Sequence, residues 1–348
     1  MKLSDNILTP GDFGLKTNSA NELLLKRFKL SDLADEYGTP LYVLDAETLA
    51  KRAKHFRHCV SSNLLFNSRV FYPIKCNSVP AVLYAVKDAG LSAEAMTDFE
   101  LDLAIHCGFE PSEIIVNGPC KTESFLRKCL ECKVHLIVID SISELKDLIR
   151  IQEEIPVQMD VLLRVNPDFL PKDLNKNSAT GIRQSSFGMN EQEILFALLI
   201  LEGHPNLSFQ GIHFHIGTGI RNPETYSEVI MKLHRLFGKI QTAGVEIRIV
   251  DVGGGFASMT TRELSSFEMI ASQAISTYQL RFKRQRFCTC EDYLQEIFAA
   301  MSSFFGSDMP MIYFEPGRCL VSPAQLLLLR VHRIKERNGM KWLITDGG

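Results

Sequence analysis

Val70-Phe71-Tyr72-Pro73-Ile74-Lys75-Cys76-Asn77 sets an apolar, strand-like run against one amine, and the fold is read by following what recurs after it. Further apolar runs fall at residues 93–96, 114–116, 136–139, 161–163, 209–212, 247–250 and 311–314. Most are separated by helix-length segments, with helical periodicity plainest in residues 81–89 and 100–107. Eight strands alternating with helices predict an α/β protein built on a closed (β/α)₈ TIM barrel. An open doubly wound sheet is the rival. The placement of polar residues favours the barrel: Lys75, Glu94, Asn117, Asp140, Arg164, His215, Gly253 to Gly255 and Glu315 each stand at or just past the end of a different run. A barrel brings those ends to one rim.

The remaining sequence bounds the function. The 348 residues are 45% hydrophobic and 23% charged, enough for one large domain and a smaller one. A net charge of −3 gives no general attraction to nucleic acid or anionic membrane, so neither is expected as a partner. The basic run 281–286 reads as a solvated face. No basic segment followed by an apolar core opens the chain, and no apolar run reaches membrane-spanning length. A cytoplasmic protein is expected. Its nine cysteines follow no disulfide framework. Cys129 and Cys132 form a CxxC and Cys288 and Cys290 a CxC, but neither pair completes a four-ligand zinc motif, and no metal is predicted. After a polar start, residues 41–44 read as a strand, and Asp45 as the N-cap of a helix reaching about residue 59.

Four segments carry chemistry. A lysine packed on apolar neighbours loses ammonium solvation, its pKa falls, and the neutral amine can add to an aldehyde; a solvated surface lysine is the plain alternative for Lys75 alone. The three glycines of Asp251-Val252-Gly253-Gly254-Gly255-Phe256 let backbone N–H groups approach an anion, although a tight turn explains them equally well. His213-Phe214-His215-Ile216-Gly217-Thr218-Gly219 offers imidazoles for a metal or for stacking on a planar ring. The carboxylate of Glu315-Pro316-Gly317-Arg318 either pairs with the arginine or keeps a heteroaromatic nitrogen protonated.

Taken together, FYPIKCN (71–77), HFHIGTG (213–219), DVGGGF (251–256) and EPGR (315–318), with LLRVNP (162–167) and SSFG (185–188), resemble the fold-type III pyridoxal-phosphate decarboxylases, which include the ornithine/arginine and diaminopimelate enzymes. The likeness runs in order from about residue 37 to residue 323. It implies an alanine racemase-like barrel over residues 45–319, with a partial β-domain from both termini, residues 1–44 and 320–348. The implied cofactor is pyridoxal 5'-phosphate, with Lys75 as its Schiff-base lysine, His215 stacked on its face and Glu315 at its ring nitrogen. Gly253, Gly254, Gly255, Gly317 and Arg318, helped by Thr218, resemble the phosphate site. Glu94 and Arg164 match cofactor-pocket positions, and Glu100 a substrate-pocket position.

The implied activity is decarboxylation of an amino acid, in lysine, polyamine or siderophore biosynthesis. Alanine racemase sets an arginine against the ring nitrogen, so Glu315 favours decarboxylation over racemisation. Past Arg318 the likeness ends, because relatives continue into a larger β-domain whose cysteine motif has no match here. A fragment of a longer enzyme, or a second polypeptide supplying the rest, is therefore expected, as is a homodimer. A decarboxylase homologue that only binds a partner is the main alternative, and a racemase the lesser one.

Overall fold

The structure, a computed structural model, describes residues 9–62, 67–174, 176, 178–258, 266–275, 288–337 and 340–347. The basic run 281–286 lies outside them. Eight strands form a closed barrel: β1 (Ser68–Pro73), β2 (Ser92–Ala95), β3 (Ile114–Val116), β4 (Leu136–Ile139), β5 (Met159–Arg164), β6 (Leu207–His213), β7 (Ile249–Asp251) and β8 (Met311–Phe314). Each strand runs parallel to its neighbours, and β8 pairs with β1 to complete the ring. The seventh strand starts two residues later than the apolar pattern predicts. Ile247 is buried yet precedes the ladder, and the Arg248 N–H donates instead to Gln210 of β6.

Helices alternate with the strands: α1 (Ala46–Ser61) ahead of β1, then α2 (Pro80–Asp88), α3 (Asp98–His106), α4 (Glu123–Cys132), α5 (Ile142–Glu154), α6 (Glu191–Glu202), α7 (Glu224–Thr242) and α8 (Cys290–Phe305). Helix α1 buries Leu49, Ala53, Phe56 and Val60, the stripe that a 3.6-residue period lays on one face. Five helices start alike. The side chains of Thr97, Thr122, Ser141, Asn190 and Thr289 each accept the backbone N–H three residues on, satisfying a donor that the helix leaves free.

Strand alternation then sorts the barrel interior into layers. Phe71, Ile115, Leu136, Val138, Leu162, Ile249 and Tyr313 form its apolar core. Two residues further along, the side chains on the same face are Asn117, Asp140, Arg164, Asp251 and Glu315, joined from β2 and β6 by Glu94 and His213; all seven are buried. The opposite end is closed by a small polar cluster, in which His135 Nε2 lies 3.1 Å from Arg69 Nη1 and 2.9 Å from Tyr313 Oη. Burial, then the Arg69 charge, push His135 down to about 4, so this imidazole is neutral.

One irregularity shapes the ring. The register of β6 on β5 shifts between Phe209 and Gly211, and the side chain of Gln210 reaches sideways to Asp160 and Ser208. A Cβ on Gly211 would run into the backbone of Ile249, so only glycine lets β6 and β7 come this close.

The chain divides into two compact units. One is Ala46–Ser258 with Cys288–Val321, which holds the barrel; the other is Met1–Asp45, Met259–Phe287 and Ser322–Gly348. In the second, Leu41–Leu44 pairs antiparallel with Gln325–Leu328, joining strands from both ends of the sequence. A hairpin of Val331–Arg337 and Met340–Thr345 follows. Among the described residues no helix is long and apolar enough to cross a membrane.

Candidate active site

Lys75 lies not on β1 but in the single 3₁₀ turn that follows it, Ile74–Cys76. Its Nζ donates to both carboxylate oxygens of Glu94, at 2.9 and 2.7 Å; Glu94 is fully buried, whereas the lysine side chain is 40% exposed. Desolvation by itself lowers the ammonium pKa, but the carboxylates of Glu94 and Glu315 outweigh it, and the net direction is upward. This corrects the sequence expectation of a depressed lysine, which reckoned with the apolar strand and not with the acid that β2 brings alongside. Burial, offset in part by Lys75, pushes Glu94 up to about 7.

Glu315 follows β8 and is 2% exposed. Its Oε1 accepts from Asn117 Nδ2 at 3.2 Å and lies 3.5 Å from His213 Nε2. Burial raises a carboxyl, but hydrogen bonding to His213 and the Lys75 charge prevail and hold Glu315 well below the ordinary range. Asp251 behaves oppposite to it: burial, reinforced by the Glu315 charge, pushes that acid well above its ordinary value. Two neighbouring buried acids are thus driven apart, Glu315 downward and Asp251 upward.

The strand carrying His213 ends there, so His215 sits in the following loop rather than on a shared strand face. Burial and then the Lys75 charge push its imidazole down to about 3, leaving it neutral. Its Nδ1 accepts from the Gly254 N–H at 3.1 Å. The glycine turn is held tightly: a Cβ on Gly254 would strike the Glu315 carbonyl oxygen, and Gly253 and Gly255 adopt φ of 67° and 102°. Gly219 and Ile220 donate backbone N–H bonds to the Gly255 carbonyl, bringing the Thr218 loop to the turn. Gly317 abuts Pro73 and Cys76 beside Lys75, and Arg318 opens a short helix, Arg318–Val321.

Arg164 ends β5, lies 3.4 Å from Asp140 and stacks 4.5 Å over the Phe187 ring. Glu100 faces backwards, its Oε2 accepting from the Met96 N–H at 2.6 Å, so this carboxylate braces the β2–α3 connection. Sequence reasoning gave no role to Asn117 or Asp251, and offered His213 only together with His215 as a metal-binding or stacking imidazole. The oxygen and nitrogen ligand atoms of His213, Asp251 and Glu315 lie within 4.8 Å of one another.

An amine, a buried ionised carboxylate, a neutral imidazole and a glycine turn therefore meet at one rim, a donor set suited to a phosphorylated aromatic aldehyde. The contacts of Glu315 with Asn117 and His213 both fall on Oε1. The sequence model of the family described as "Pyridoxal-dependent decarboxylase, pyridoxal binding domain" matches residues 46–322. The chain belongs to the pyridoxal-dependent decarboxylases. Among its relatives, the diaminopimelate decarboxylase of Methanothermobacter thermautotrophicus is 31% identical over 92% of this chain and 70% of its own length. That of Zymomonas mobilis is 28% identical over 96% of the chain and 73% of its own length. The crystal structure of the Methanocaldococcus jannaschii diaminopimelate decarboxylase covers 98% of the chain and 74% of that chain, with a TM-score of 0.82 and 24% identity. This protein is thus a pyridoxal 5'-phosphate-dependent amino acid decarboxylase by family.

Proposed function

We propose that this decarboxylase acts on a diamino acid of the diaminopimelate type, with Lys75, His215 and Glu315 as its catalytic residues. The observation that carries the reading is Glu315, a buried carboxylate held ionised beside His213 and Asn117. When bound, pyridoxal 5'-phosphate would supply an electron sink for the pair released when the bond between Cα and carboxylate breaks, a proton taking the place of the departing carbon dioxide. Lys75 must shed a proton before it bonds an aldehyde, and Glu94 Oε2, 2.7 Å away with a pKa near neutrality, is suited to receive it. Glu315 would keep the cofactor's ring nitrogen protonated, with Asn117 and His213 fixing the carboxylate. Neutral His215 would stack on the ring without competing charge. Gly253 to Gly255, Thr218, Gly317 and Arg318 would hold the phosphate, while Arg164 and Glu94 would line the pocket and Glu100 would brace it.

The choice of diaminopimelate rests on the similarity to diaminopimelate decarboxylases and on a solved one of them, 25% identical and bound to L-lysine. We place the enzyme in the cytoplasm, where free thiols persist, and take a homodimer as its working form.

Protein reconstituted with pyridoxal phosphate and treated with borohydride should carry the adduct on Lys75, by peptide mass. Carbon dioxide release should be fastest with diaminopimelate among diaminopimelate, lysine, ornithine and arginine. Failure of Lys75 to label would refute the assignment of the lysine. Glu315→Ala should lower kcat/KM by about a hundredfold or more, as when other preorganised electrostatic partners are removed, with the adduct still forming.

A further inference from the structure

Along one flank of the barrel, α1 runs beside the start of α8, and four soft or anionic donors gather there. His55 and Cys59 are four residues apart on α1 and share a face. Cys290 and Glu291 open α8, whose first turn is fixed by the reciprocal capping of Thr289 and Asp292. Cys59 Sγ donates to Glu291 Oε1 at 3.1 Å, His55 Nε2 lies 3.6 Å from that sulfur, and His55 Nε2 is 3.4 Å from Glu291 Oε1. A tetrahedral zinc with Zn–S near ~2.3 Å and Zn–N or Zn–O near ~2.0–2.1 Å places its ligand atoms about 3.3–3.6 Å apart. The three donors already form such a face.

We propose that His55, Cys59 and Glu291, with Cys290 beside them, bind a zinc-like divalent cation that clips α1 to α8. The Cys290 thiol neighbours Cys59 but stands outside the triad, so water completes the tetrahedron around the ion. His55 and Glu291 are more than half exposed while Cys59 is nearly covered, so an ion can enter from water and settle against sulfur. A cavity of about 520 Å³ adjoins the cluster. Two cations line it, but Lys51 pairs with Glu47 and Arg52 Nε donates to the Cys319 carbonyl, so each is engaged elsewhere. The CxC spacing of Cys288 and Cys290 alone does not reveal the site, because its other ligands lie on a helix more than two hundred residues away in sequence.

A thiol binds such an ion as thiolate, so coordination by Cys59 releases its sulfur proton to solvent, and binding should tighten as pH rises. None of these residues belongs to the proposed active site.

The full chain, stripped with chelator and buffer-exchanged, should take up one zinc in competition with a chromophoric chelator. Cobalt(II) should give intense tetrahedral ligand-field bands to the red of any pyridoxal absorption. Zinc affinity should fall at least about tenfold in His55→Ala and in Cys59→Ser. Cys120→Ser, which alters an exposed thiol elsewhere, should bind as the unaltered chain does. Should Cys59→Ser fail to fold, His55→Ala and Glu291→Gln, which change exposed side chains, decide the matter alone. Unchanged zinc affinity in those two variants, or no saturable one-to-one uptake by the unaltered chain, overturns the proposal. Neither result bears on the decarboxylase assignment, whose readouts are the Lys75 adduct and carbon dioxide.

Discussion

Glu94 ties the chemistry of the rim to the stability of the fold. Its carboxyl rises from an ordinary 4.5 to about 7, chiefly through burial. The folded state therefore binds more protons than the unfolded chain between those values, and this group's contribution to stability is present below about pH 4.5 and lost as pH rises towards about 7. Glu94→Gln, which cannot ionise, should remove that decline. Melting temperatures of the cofactor-free protein across this window should fall less steeply for the variant; equal slopes would discard the idea. At this scale the sequence was most legible where chemistry sits in a contiguous motif, as in FYPIKCN or EPGR. Asn117, His213 and Asp251 escaped because their roles depend on distances across the barrel, such as the 3.2 Å from Asn117 to Glu315. The upward shift of Lys75 escaped for the same reason.

Connections between strands and helices repeat the theme of paired burial. Lys121, in the loop ahead of α4, donates to the Gly118 carbonyl at 2.6 Å and pairs with Glu144 of α5 at 2.9 Å, the lysine side chain fully buried and the glutamate nearly so. Lys121→Met leaves the Glu144 carboxylate buried and unpaired, which should destabilise the protein by about 3–5 kcal/mol. Adding Glu144→Leu should recover most of that loss, as chemical denaturation would measure; a double variant no better than the single one contradicts the pairing. The elements themselves were readable from apolar spacing, which found all eight barrel strands. The bulge at Gly211 was not, since a lone glycine in a strand does not disclose that Ile249 backbone lies against it. The end of β6 at His213, short of His215, depends on that local geometry too.

Across the molecule, the hairpin of Val331–Arg337 and Met340–Thr345 stands out chemically. Ile334, Trp342 and Leu343 are each more than half exposed on two short strands. Exposed apolar side chains on a two-stranded ribbon favour association. Sedimentation should show mass rising with concentration, and Ile334→Lys with Leu343→Lys should reduce it; identical profiles would remove the hairpin as the cause. Charge and composition gave no sign of this, because they average over the whole chain.

The barrel ring is completed by the pairing of β8, its last stave, with β1, its first. A ribosome-bound chain therefore has no cofactor pocket until Phe314 has emerged from the exit tunnel, however early Lys75 was made. Nascent chains halted before that point should not capture pyridoxal, so cofactor uptake waits on the last barrel strand.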